Sequence, residues 1–128
     1  FTLENTKIQG KVVKVYDGDS VHIVFPMFGK MYNWTCRIAR VDTPELRTKN
    51  EKEKKFGYFV KEKLLERIMN KVVEVQCGEF DKYGRLLVEI VDTENISDWL
   101  IKNKYAFEYD GGTKKDWGDY LDNAEEVD

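Results

Sequence analysis

The first 41 residues allow very few folds. "KIQGKVVKVY" (residues 7 to 16), "SVHIVF" (20 to 25) and "MYNWTCRIARV" (31 to 41) are rich in β-branched and aromatic residues, the composition of a pleated strand. Only "DGD" and "PMFGK" separate them. Turns that short, carrying Gly and Pro, join neighbouring antiparallel strands. The chain therefore opens as a three-strand meander.

A different period follows. "TPELRTKNEKEKKFG" is charged and aperiodic, a surface loop running into a helix. Phe56, Val60, Leu64 and Ile68 then recur every four residues, with Phe59 three from Phe56. That is the apolar stripe of an amphipathic helix. "KVVEVQC" and "RLLVEIV" read as a fourth and a fifth strand about the polar turn "DKYG", and "ENISDWLIKNK" as a short helix offering Trp99, Leu100 and Ile101 to a core. Thr113 could cap a last helical stretch. Five short strands with a helix between the third and fourth predict an α+β, mainly β, fold: a five-stranded OB-fold barrel with about three helices.

At 128 residues the chain fits one domain with one modest core. Its 41% hydrophobic and 13% aromatic content is that of a globular protein. No apolar run is long enough to cross a membrane, and no secretory signal is present. The chain opens with Phe1 and not Met, so it reads as trimmed; the compartment stays open, with a lean to the intracellular. Cys36 and Cys77 lie in apolar runs and read as small core hydrophobes. The net charge of −3 is unevenly spread. All 21 Lys and Arg lie at or before Lys115, against 18 of the 24 acids. Residues 1 to 115 thus carry +3, and residues 116 to 128 form an acidic tail, with a helical pattern, carrying −6. A mildly basic body permits a polyanionic partner without demanding one.

Charge also crowds onto one strand end. "RIARVDTPE" (37 to 45) packs two arginines, two carboxylates and a proline turn into nine positions. With "YDGDS" and "DKYGR" it supplies a constellation from three separate segments: Asp17 and Asp19, then Arg37, Asp42, Thr43 and Glu45, then Lys82, Tyr83 and Arg85. Each piece alone is explicable as a turn or strand end. Together they suit a cation and an anion held at once. Hard cations take carboxylate and carbonyl oxygens, and arginine is the planar donor for phosphate. A metal ion, a base and two guanidiniums around one phosphorus suffice for phosphodiester hydrolysis.

"DGDS", "RIARVDTPE" and "DKYGR", in this order, resemble the staphylococcal nuclease (thermonuclease) family, from about Val12 to about Asn103. The resemblance implies an OB-type barrel and a Ca2+-dependent endonuclease, a hydrolase of DNA or RNA acting as a monomer and leaving 3′-phosphate ends. It implies that Asp19 and Asp42, with the Thr43 carbonyl, bind Ca2+. Glu45 would be the general base or orient the attacking water, and Arg37 and Arg85 would clamp the phosphate. Lys82 and Tyr83 would meet a neighbouring phosphate or nucleotide, and Tyr109 stands nearest the family's stacking tyrosine. By the same resemblance residues 1 to 115 would be the nuclease domain. Two departures stand out: the hairpin turn "FPMFGK" is longer than the family's prototype, and the C-terminal segment is acidic. The alternatives are a catalytically silent OB-type module that binds nucleic acid and a protein-interaction module.

Overall fold

The computed structural model describes residues 3 to 112 and 114 to 126. The opening meander is β1 (Lys7–Val15), β2 (Ser20–Met27) and β3 (Lys30–Ile38). Each pairs antiparallel with the next. After a two-residue strand, β4 (Val41–Asp42), the chain enters helix α1 (Glu51–Ile68). Then come β5 (Val72–Phe80) and β6 (Leu86–Asp92). β5 pairs antiparallel with both β1 and β6. β6 in turn pairs parallel with β3 through Cys36, Arg37 and Ile38. That last contact closes the sheet into the expected five-stranded barrel. The remaining elements are β7 (Glu94–Asn95), helix α2 (Ile96–Lys102), β8 (Phe107–Glu108), which pairs with β4, and helix α3 (Trp117–Glu126).

Alternation decides which side chains enter the barrel. Val21, Ile23 and Phe25 of β2, Cys36 and Ile38 of β3, Val73, Val75 and Cys77 of β5, and Leu86, Val88 and Ile90 of β6 are all buried. Both cysteines are free and buried, and burial pushes the Cys36 thiol up to about 12. Helix α1 plugs the barrel with Val60, Leu64 and Ile68. Phe56 packs beside this stripe, while Phe59 stays 46% exposed and stacks on Phe56 at 5.9 Å. The helix begins at Glu51, before its apolar stripe, because Asn50 caps it: the Asn50 side chain accepts from the Glu53 N–H at 3.0 Å. Among the described residues no helix is long and apolar enough to cross a membrane.

Helix α3 covers most of the stretch set apart in sequence as an acidic tail, and it packs on the body. Trp117 is buried, 4.1 Å from the Phe107 ring and 5.6 Å from Phe56, and Lys52 of α1 reaches Asp122 at 2.8 Å. The expected cap at Thr113 lies outside the described residues. Truncating a buried tryptophan typically costs about 3–5 kcal/mol. Trp117→Ala is expected to lower the unfolding free energy, measured by denaturant titration, by an amount in that range, and a value within ~0.5 kcal/mol of the parent would show that α3 is not part of the folded body.

Candidate functional site

Three turns meet at the mouth of the barrel. The first, between β1 and β2, is the Asp-Gly-Asp turn. Its form is set by the Asp17 carboxylate, which accepts from the Asp19 N–H at 3.0 Å. Gly18 is required there: a Cβ would come within 2.8 Å of both Thr43 and Val60, closer than packed atoms approach. The turn is thereby pressed onto Thr43 and onto helix α1. A second glycine does the same from the helix side. A Cβ on Gly57 would lie 3.0 and 3.1 Å from the carbonyl oxygens of Glu45 and Pro44. The helix thus rides against the backbone that carries Glu45, and the Glu53 carboxylate accepts the Glu45 N–H at 2.9 Å.

The third turn, residues 81 to 85, is organised by Asp81. Its carboxylate accepts from the N–H groups of Tyr83 and Arg85, both at 2.9 Å, and from Arg85 Nε at 2.8 Å. Gly84 takes the positive φ (81°) that the turn needs. Burial alone would raise the Asp81 pKa, but these donors hold it below the ordinary value. Asp81 therefore fixes where Arg85 points. The free end of that guanidinium reaches the Ser20 hydroxyl at 3.4 Å, and Ser20 Oγ lies 3.4 Å from Asp19 Oδ1.

Arg37 comes to the same place from β3. It donates to the carbonyls of Ile38 (3.2 Å) and Val41 (3.0 Å) and lies 3.5 Å from Asp19 Oδ2. Asp19, Arg37, Thr43, Glu45 and Arg85 share the wall of a polar cavity of about 130 Å3 with Asp17, Pro44 and Lys114. A larger cleft of about 480 Å3 adjoins it through Arg37, Arg85 and Lys114, and holds Arg40, Lys82, Tyr83 and Tyr109. Tyr109 has the guanidinium of Arg37 at 5.7 Å and the amine of Lys114 at 5.6 Å from its ring centroid, within the range of cation–π attraction. Tyr83 stands 72% exposed at the cleft edge. Two cations, Arg85 (5.6 Å) and Lys82 (5.2 Å), lie by its ring.

Asp42 is the exception among the predicted residues. It lines neither of these spaces. Its buried carboxylate meets Lys114 Nζ at 3.6 Å and faces a third hollow with Phe107 and Tyr109. Among the described residues the buried indole N–H of Trp117 has no hydrogen-bond partner. It nevertheless lies near enough to Asp42 to help lower that carboxyl's pKa. Burial outweighs this N–H, Lys114 and Arg37, so the Asp42 pKa is raised overall.

Among the described residues no point gathers three or more His, Cys, Asp or Glu side chains as metal ligands. What the small cavity offers is oxygen: the carboxylates of Asp17, Asp19 and Glu45 beside Thr43, with no Cys or His in its wall. Oxygen donors of this kind fit a hard cation that completes its shell with carbonyls and water. The electrostatics agree with that chemistry. Burial, and then the neighbouring Asp17, raise the Asp19 pKa to about 7 although Arg37 pulls the other way. A cation bound beside Asp19 would favour its ionised form.

Sequence reasoning passed over four contributors. Lys114 carried no motif. Asp81 was taken only as part of a polar turn, though Asp opening a four-residue turn before Gly is a known signature of a side chain that closes the turn on itself. Gly18 and Gly57 act through what they lack, which a sequence does not display.

A raised carboxyl pKa has a definite sign. Asp19 holds its proton more tightly folded than unfolded. The stability this lends is complete below the unfolded value near 4 and is lost as pH rises through about 7. In chelator at pH 8, Asp19→Asn is therefore expected to melt above the parent, with the gap closing towards pH 4. An Asn variant that melts lower than the parent at pH 8 would show that the Asp19 charge is already compensated.

The family model described as "Staphylococcal nuclease homologue" matches residues 35 to 127. An uncharacterized protein of Methanocaldococcus jannaschii is 31% identical over 125 aligned positions, covering 78% of this chain and 58% of that protein. An uncharacterized endonuclease of Escherichia coli is 25% identical over 105 positions, covering 80% and 62%. Endonuclease YhcR of Bacillus subtilis is 31% identical over 112 positions, covering 79% of this chain and 9% of that protein. The chain thus spans about three-fifths of the length of the first two relatives.

Proposed function

The chain belongs to the staphylococcal nuclease homologue family, and from that premise we propose that it hydrolyses phosphodiester bonds of DNA or RNA with the help of Ca2+. The observation that carries this reading is the convergence of Arg37 and Arg85, from two different strands, on one small cavity that also holds Asp19, Thr43 and Glu45. A purely structural ion pair needs neither the second guanidinium nor the exposed carboxylate of Glu45.

The roles follow from position and donor chemistry. Arg37 and Arg85 present planar N–H pairs to the phosphate oxygens. Asp19 and the Thr43 carbonyl would hold the cation together with Asp42, whose carboxylate faces the neighbouring hollow and pairs with Lys114. When bound, Ca2+ would polarise a phosphoryl oxygen and neutralise charge that develops on it. Glu45 takes a proton from the attacking water as its oxygen bonds to phosphorus. The P–O5′ bond breaks, the departing 5′ oxygen is protonated, and a 3′-phosphate end remains. Lys82, Tyr83 and Tyr109 line the route by which the adjoining nucleotides would enter, with tyrosine rings available for stacking.

Digestion of single-stranded DNA and of RNA, first with Ca2+ and then with chelator, tests the reading directly. Cleavage that depends on Ca2+ is expected; digestion unaffected by chelator removes the metal role, and none under either condition leaves a silent binding module. Glu45→Gln should keep its melting temperature and lose roughly 10²-fold or more in kcat, the range typical of a general base. Arg37→Lys and Arg85→Lys should both lower kcat, because an ammonium keeps the charge and loses the two-pronged geometry. Either variant cleaving like the parent would make that arginine structural.

A further inference from the structure

The aromatic residues of the long first hairpin have no part in the site described so far. β3 pairs with β2 from Ser20↔Arg37 to Met27↔Lys30, but with β6 only at Cys36 to Ile38. Residues 30 to 35 of β3 therefore have no strand on their other edge among the described residues. On their inward side they carry Tyr32 and Trp34, continuing the row of Cys36 and Ile38 beyond the end of the barrel. Trp34 is anchored: it stacks on buried Phe25 at 4.9 Å and donates its indole N–H to the Phe25 carbonyl. Tyr32 meets it edge-on at 5.7 Å.

A β-bulge brings a third ring. Between Cys77 and Phe80 the strand gains one residue against β6, where Cys77 faces Val88 and Phe80 faces Leu86. The extra residue turns Phe80 to the same side as Cys77, within 6.4 Å of Trp34. Tyr32 and Phe80 are left 44% and 46% exposed. This half-open row of rings ends at the turn that borders the cleft. Phe80 immediately precedes Asp81 and Lys82, both of which line the cleft, and Tyr83 follows. Exposed lysines stand at both ends, Lys82 at the cleft and Lys30 at the hairpin tip.

We propose that Tyr32, Trp34 and Phe80 form a stacking track that binds unpaired nucleotides of a single strand lying outside the cleft, leading from Lys82 towards Lys30. The proposal rests on the nuclease reading for its occupant. A row of base-sized rings with cations at its ends is the chemistry of sequence-tolerant single-strand binding. Base pairing would block such stacking, so the track favours unpaired substrate. A protein segment seated on the same open edge, or a second copy of this chain, would leave the cleft uninvolved.

The test compares dinucleotides with ten-residue oligothymidylates, bound to the full chain in chelator at low salt. Affinity is expected to rise with length in the parent. Tyr32→Ala and Phe80→Ala should each weaken the ten-residue ligand about fivefold or more, in line with the loss of one stacked base, and should shrink its advantage over the dinucleotide. Trp34 is left intact because it is anchored in the barrel; melting temperatures of both variants within a few degrees of the parent show that the fold is kept. Affinity that does not grow with length, or variants that bind the long ligand like the parent, overturns the track. So does a parent that sediments as a dimer and becomes monomeric in both variants, since the rings then serve self-association. A parent that digests single strands without any length dependence sinks the track alone, whereas one that neither digests nor binds sinks the nuclease reading as well.

Discussion

Three residues of parallel pairing, Cys36, Arg37 and Ile38 of β3 against Leu86, Leu87 and Val88 of β6, hold the molecule in its working form. Without them the sheet would be an open meander, and the turn at residues 81 to 85 would have no fixed relation to the end of β3. With them, Arg37 and Arg85 are brought to the same end of the barrel from segments nearly fifty positions apart. The same contact buries Cys36, Ile38, Leu86 and Val88, so the apolar free energy that closes the barrel is also what sets the spacing of two like charges. Guanidiniums placed side by side repel. Here Asp19 and Asp81 share the cost by pairing with one each.

Much of this was legible in the chain itself. Strand order, the α1 stripe at Val60, Leu64 and Ile68, and the short helix before Asn103 follow from periodicity and turn residues, and the structure carries all of them. The gathering of Asp19, Arg37, Thr43, Glu45 and Arg85 was legible only as a resemblance, because no local rule says which turns of a barrel face each other. Asp42 was harder still. It sits in the same nine-residue stretch as Arg37 and Glu45, yet its side chain turns towards Lys114, and the strand direction that decides this comes from its pairing with β8. The packed character of α3 was hidden by its acids. Its charge set it apart as an acidic tail, while two aromatic residues, Trp117 and Tyr120, decide where it lies.

The site is built at some expense of stability. Asp19 and Asp42 are carboxyls whose burial raises their pKa, the opposite of what a stabilising surface carboxylate experiences. Gly18 and Gly57 give up side chains so that backbone and helix can close on Thr43 and Glu45. Such features are expected where a fold must present charge to a ligand rather than satisfy it internally.

Helix α3 joins the far end of the described chain to the strand end that carries Asp42. Trp117 lies between Phe107 and Phe56 on one side and the neighbourhood of Asp42 on the other. Anyone excising this module from a longer polypeptide would therefore have to cut after the helix and not before it. Any sequence fused beyond residue 126 would extend a helix whose first turn rests beside the Asp42 carboxylate.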